Sequence, residues 1–131
     1  ARYFASGLGH IVSGRGHIWQ ARSTDGGETW SPAIVTIIKN PNSGIDLTRL
    51  QSGHLALAFN DSYDQRTPLN LALSTDEGRT WLYQKAVETA PGAFAYPWLI
   101  QTRDGLLHLT YSYNYQTIKH VVCDEDWLRT P

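Results

Sequence analysis

The phrase Ser23-Thr24-Asp25-Gly26-Gly27-Glu28-Thr29-Trp30 recurs as Ser74-Thr75-Asp76-Glu77-Gly78-Arg79-Thr80-Trp81, 51 positions later. A fixed period of that length means one supersecondary unit used repeatedly, and it constrains the fold before any single residue does. Each copy follows a short run of strand length, so each reads as a tight turn leaving a strand. In such a turn, backbone N–H groups lose their ladder partners. Short Asp and Ser side chains accept from them, while Gly26, Gly27 and Gly78 can take positive φ. Trp30 and Trp81 are expected to fold beneath their turns and be largely buried. A carboxylate repeated once per unit, as Asp25 and Asp76 are, reads as structural rather than catalytic.

The rest of the chain reads as strands and turns. Ile18–Ser23, Leu69–Ser74 and Ile118–Cys123 are short extended runs. Leu55–Asn60 and Leu107–Ser112 each follow a glycine-bearing turn, Gln51-Ser52-Gly53-His54 and Arg103-Asp104-Gly105-Leu106. Before those turns, Ile45–Leu50 and Pro97–Thr102 supply the first strand of each unit. Shifting the second unit by 50 positions lays Ser74-Thr75-Asp76 over Asp124-Glu125-Asp126, a degenerate last box with at most a short helical turn over Asp124–Leu128. Seven Tyr, five Trp and eleven Gly fit an all-β chain with many turns.

The pattern Ser-x-Asp-x-Gly-x-Thr-Trp resembles the Asp-box, or bacterial neuraminidase repeat, of the sialidase superfamily. That resemblance covers most of the chain and matches the C-terminal half of such proteins. It implies a partial β-propeller of about three four-stranded antiparallel blades, over residues 1–39, 40–92 and 93–131. Propellers close with four to eight blades. Three blades leave two open faces, so two copies are expected to associate into a six-bladed ring, the number typical of sialidases.

Composition narrows the classes of partner. With 11 basic and 12 acidic residues, the chain offers no broad basic face for nucleic acid. Its apolar stretches are strand-length and too short for a helix across a bilayer. The start Ala1-Arg2-Tyr3-Phe4 lacks a signal-type apolar region, which reads as a cytosolic or already trimmed chain. Cys123 stands alone, which excludes an internal disulfide and fits a reducing compartment. The five histidines show no metal-ligand spacing, so neither metal nor cofactor is expected.

The resemblance also assigns roles to single residues. Ala95-Tyr96-Pro97-Trp98-Leu99-Ile100 is similar to the segment that carries the family's catalytic tyrosine, which makes Tyr96 the expected nucleophile. A neutral phenol can approach an anionic sugar that would repel a carboxylate, and sialidases are the tyrosine exception among retaining glycosidases. Arg66 matches one member of the family's arginine triad, whose planar forks pair with the substrate carboxylate. Arg15 and Arg22 are the candidates for another member. The glutamate expected near that arginine is missing, because no acidic residue precedes Asp25.

Asp46 and Asp61 are the stand-in candidates for the acid/base, their alternative being turn formation. Asn42, Asn60, Tyr113 and Lys119 sit at strand entries and exits, or on a strand, near the same expected face. Amides beside aromatics suit a sugar-binding cleft. Asn60-Asp61-Ser62 also fits the N-glycosylation pattern. Three functions follow: a sialidase-like glycoside hydrolase module acting on terminal, acidic or otherwise polar sugars; a non-catalytic carbohydrate- or protein-binding propeller piece; or a folded remnant without a site.

Overall fold

The computed structural model describes residues 2–6 and 16–131. Among these residues, ten strands form three antiparallel sheets in chain order. The first holds β1 (Arg2–Ser6), β2 (His17–Ser23) and β3 (Ile34–Lys39). The second holds β4 (Asp46–Arg49), β5 (Leu55–Asn60), β6 (Leu69–Ser74) and β7 (Tyr83–Glu88). The third holds β8 (Phe94–Gln101), β9 (Leu107–Tyr113) and β10 (Thr117–Cys123), and the chain ends in the short helix α1 (Glu125–Arg129). These are the consecutive blades of a partial propeller, all-β as the repeat implies.

Four strands per blade holds only for the second sheet; the other two have three among the described residues. In the third, the degenerate box forms α1 instead of a turn into a further strand. Asp124–Asp126 contains no glycine for a positive φ. The Asp124 side chain accepts from Trp127 N at 2.7 Å, capping a helix whose first turn is acidic.

Both boxes build the expected turn. Ser74 Oγ accepts from Gly78 N at 2.8 Å, and Asp76 accepts from the Arg79 and Thr80 amides and the Thr80 hydroxyl. Ser23 and Asp25 repeat the pattern with Gly27 and Thr29. These bonds hold the Asp76 carboxyl at about 2, led by the Thr80 hydroxyl and amide, and push Asp25 lower still, again chiefly through its threonine. Each box joins the last two strands of its sheet.

The burial expected of the two tryptophans is only partly met. Trp81 is half-buried and packs with Ile18, Ile38, Leu57 and Phe59 between the first two sheets. Trp30 is 43% exposed and donates its indole N–H to Gly27 O.

The second sheet is covered on both faces, so every residue of β5 and β6 is buried. Leu57, Phe59 and Ala72 face the first sheet, whereas Ala56, Ala58, Leu69, Leu71 and Leu73 face the third. This is the period-two alternation of a strand between two apolar layers.

Candidate functional site

In the second sheet the box turn between β6 and β7 lies at one end, and the loop between β5 and β6 lies at the opposite end, as does the loop between β9 and β10 in the third sheet. At that opposite end the loop between β5 and β6 carries Arg66 from the second sheet, and the start of β8 carries Tyr96, two residues after Phe94, in the third. The pairing of β8 with β9 slips between Ala95 and Trp98. This bulge pushes Tyr96 outward, leaving it 62% exposed with φ +54°. A left-handed backbone is uncommon for a large aromatic residue and costs on the order of 1–2 kcal/mol. Such outliers persist where the surroundings impose them, often at functional sites.

The Arg66 guanidinium lies 5.1 Å from the Tyr96 ring centre and 5.9 Å from that of Tyr115. Hydrogen bonding toward Tyr96 raises its pKa above the ordinary arginine value, against the opposing effect of burial. Its Nη1 is buried without a hydrogen-bond partner. The cluster therefore offers a fixed positive charge, a spare buried donor and an exposed phenol. Such a group suits an anion, and a carboxylate above all.

Tyr115 stands in the loop between β9 and β10, where it and Asn114 both have positive φ. Asn114 fixes that loop by donating its backbone N–H to Ala93 O at 2.8 Å and accepting from Ala93 N through its side chain at 2.9 Å. Sequence reasoning did not select Tyr115. The signal lies in Tyr113-Asn114-Tyr115, where the loop position of Tyr115, rather than that of Tyr113, brings a ring to Arg66. Tyr113 packs on Phe94, with ring centres 5.2 Å apart, and Lys119 covers its face at 5.1 Å.

The other candidates are dispersed. Asp46 Oδ2 accepts from Leu99 N at 2.6 Å, and Oδ1 from Leu47 N, so its carboxylate ties the second sheet to the third. Asp61 lies 3.6 Å from Lys39, at the seam with the first sheet. His17 stands edge-on to Tyr63 there, and Lys39 lies over the same ring. Asn42 is exposed in a left-handed turn, two residues before Gly44, which approaches Tyr96.

Asn60 departs from its expected place on the binding surface. It is fully buried, donating to Pro68 O and Phe94 O and accepting from Ser43 Oγ. With its amide committed to three segments of the protein, it meets neither a sugar nor a glycosylating enzyme in the folded state.

Lys119 pairs with the buried Glu88 carboxylate, which also accepts from Tyr111 Oη at 2.5 Å. Burial opposes ionisation of Glu88, but the Lys119 and Tyr111 bonds outweigh it and lower the pKa. Burial, then the Glu88 bond, push the Tyr111 phenol well above its usual value. Arg22 sits at the box end, donating to Glu77 O at 2.8 Å, and so lies away from Arg66. Arg15 falls outside the described residues.

With this geometry in hand, comparison with known proteins identifies the lineage. A family model described as a BNR repeat-like domain matches residues 10–109. The chain belongs to that family. Three sialidase structures share the fold of this BNR repeat-like chain. The intramolecular trans-sialidase from Ruminococcus gnavus, in complex with oseltamivir carboxylate, aligns over 98% of the chain and 31% of its own length, at 21% identity and a TM-score of 0.77. The leech intramolecular trans-sialidase, complexed with 2,7-anhydro-Neu5Ac, aligns over 88% and 21%, at 20% identity and a TM-score of 0.73. A Hadza microbial sialidase aligns over 86% and 23%, at 18% identity and a TM-score of 0.72. The chain thus spans between about a fifth and a third of these proteins' lengths. No curated protein sequence matches it.

Proposed function

We propose that this chain carries part of a sialidase-type glycoside hydrolase site, acting on glycans with a terminal acidic sugar. The observation that carries the reading is the buried, unpartnered Nη1 of Arg66 held beside the exposed, left-handed Tyr96. In this reading Arg66 grips the sugar carboxylate and Tyr115 walls the same subsite. The Tyr96 phenol attacks the anomeric carbon. That step forms a tyrosyl–glycoside bond, expels the aglycone with its bonding electron pair, and is followed by attack of water. The named ligands of the leech and Ruminococcus gnavus enzymes are carboxylates, which supports the same substrate class.

Binding without turnover is the second reading. Its support is specific: Asp46 is occupied by two backbone amides and Asp61 by Lys39, which leaves Tyr96 without a described carboxylate to take its proton. Hydrolysis of a fluorogenic sialoside, measured beside equilibrium binding of free sialic acid, separates the two. The hydrolase reading expects turnover that disappears in Tyr96→Phe while binding survives, and loss of both in Arg66→Ala. Binding with no turnover by the parent chain would select the second reading. Turnover unaffected by Tyr96→Phe would remove Tyr96 as nucleophile.

A further inference from the structure

Leu107, Leu109 and Tyr111 of β9 face the second sheet, so the alternate residues of that strand face away from it. On this outer face His108 of β9 meets His120 of β10. They are diagonal neighbours across the hairpin, His108 lying opposite Val122 and His120 opposite Thr110. His108 Nδ1 stands 3.0 Å from His120 Nε2, and the ring planes are within 13° of parallel. Twelve residues separate the two in sequence, so the pair is invisible to a search for ligand spacing. The hairpin creates it.

Two imidazole nitrogens facing one gap can share a proton or chelate an ion. Nitrogens bound at about 2.0–2.1 Å to one metal stand about 2.9 Å apart when the bonds meet at a right angle, and about 3.4 Å apart at the tetrahedral angle. The separation seen here fits the right angle, which is the preference of Cu(II) and Ni(II) with nitrogen ligands. We infer that His108 and His120 form a two-imidazole site for a divalent transition-metal ion of this type, with water completing the coordination. The two nitrogens face each other almost head-on, so the proton between them moves to the far nitrogen of the ring that carries it, and each ring turns by roughly 30–45° to aim its lone pair at the ion. No group of three or more His, Cys, Asp or Glu residues gathers as a metal cage among the described residues. Its two donors are imidazole nitrogens, whereas hard cations need about six or more oxygen ligands, so Mg(II) and Ca(II) should not bind there.

Calorimetric titration of the untagged chain with NiCl2, then CuCl2, with MgCl2 as control, tests the assignment. One saturable equivalent of nickel or copper is expected, with none of magnesium. His108→Ala and His120→Ala should each weaken that equivalent by about tenfold or more, and the double variant should remove it. The copper form should show two nitrogen ligands by electron paramagnetic resonance. Both side chains border solvent, so the variants should keep the parent circular dichroism spectrum; His120→Gln provides a polar replacement of similar reach. Unchanged nickel affinity in a folded double variant would overturn the site, as would the absence of saturable binding in the parent chain.

Discussion

At Tyr96 the backbone adopts a conformation that its own residue type disfavours, and that the following Pro97 also discourages. If the phenol is kept there for chemistry, stability should not depend on it. Tyr96→Asn places a residue that tolerates the left-handed region at the same position. Relief of strain and loss of the contact with Arg66 then roughly cancel, so unfolding free energy should stay within about 1 kcal/mol of the parent. Chemical denaturation measures this. A drop of several kcal/mol would make the ring a packing element, and sialoside hydrolysis surviving the change would do the same.

Asp76 offers a second test at this scale. Its folded pKa, about 2, lies below the ordinary 3.8, so its stabilisation is complete above the ordinary value and is lost as pH falls toward about 2. Asp76→Asn should therefore lower the unfolding midpoint at neutral pH and flatten its pH dependence across that window. Parallel pH profiles for parent and variant would contradict the structural role of the box. The box residues were legible in the sequence because their bonds are local. Tyr96's φ and the burial of Asn60 were not, since both arise from contacts with segments 8 to 34 residues away.

Among the strands whose burial is described, β5 and β6 differ from the others in being enclosed on both faces. Their near-continuous apolar runs, Leu55–Phe59 and Leu69–Leu73, already indicated this in the sequence, because a half-exposed strand would alternate. Leu71→Ala should cost about 2–5 kcal/mol, while Arg103→Ala in the exposed turn before β9 should cost under about 0.5 kcal/mol. Urea titrations of the two variants would show it, and equal losses would contradict the enclosure of β6. Amide exchange should be slowest in β5 and β6. The α1 helix was legible as a turn only. What seats it is tertiary: Leu128 is buried in the core, and Glu125 bonds Ser52, His54 and Arg129. None of this is visible in a five-residue segment.

For the molecule as a whole, the repeat made the three-sheet architecture readable, whereas closure of a ring depends on surfaces that a repeat cannot specify. Ile34, Val35 and Ile37 are exposed on β3; Trp98, Ile100, Ile118 and Val122 are exposed on the third sheet. Apolar exposure on this scale is uncommon in soluble monomers. We propose that two copies pair through these faces toward a six-bladed ring. His108 and His120 share the third-sheet face, so pairing and metal binding at that pair compete, and nickel should lower the measured mass. Light scattering at micromolar protein should return twice the 14.7 kDa chain mass. Trp98→Asp should shift the mass toward one chain, and a well-behaved parent monomer would refute the pairing.

The arginine and the tyrosines of the candidate site come from different blades. Arg66 belongs to the second sheet; Tyr96 and Tyr115 belong to the third. The seam between them is fastened nearby by Phe94 N to Arg66 O, Asn60 to Phe94 O, and Asp46 to Leu99 N. A sugar acid touching both sides would act as a strap across a joint, adding its binding energy to the adhesion of the two blades. The reverse also holds: a substitution that loosens this joint, however far from the sugar, would appear first as weaker affinity and only later as unfolding.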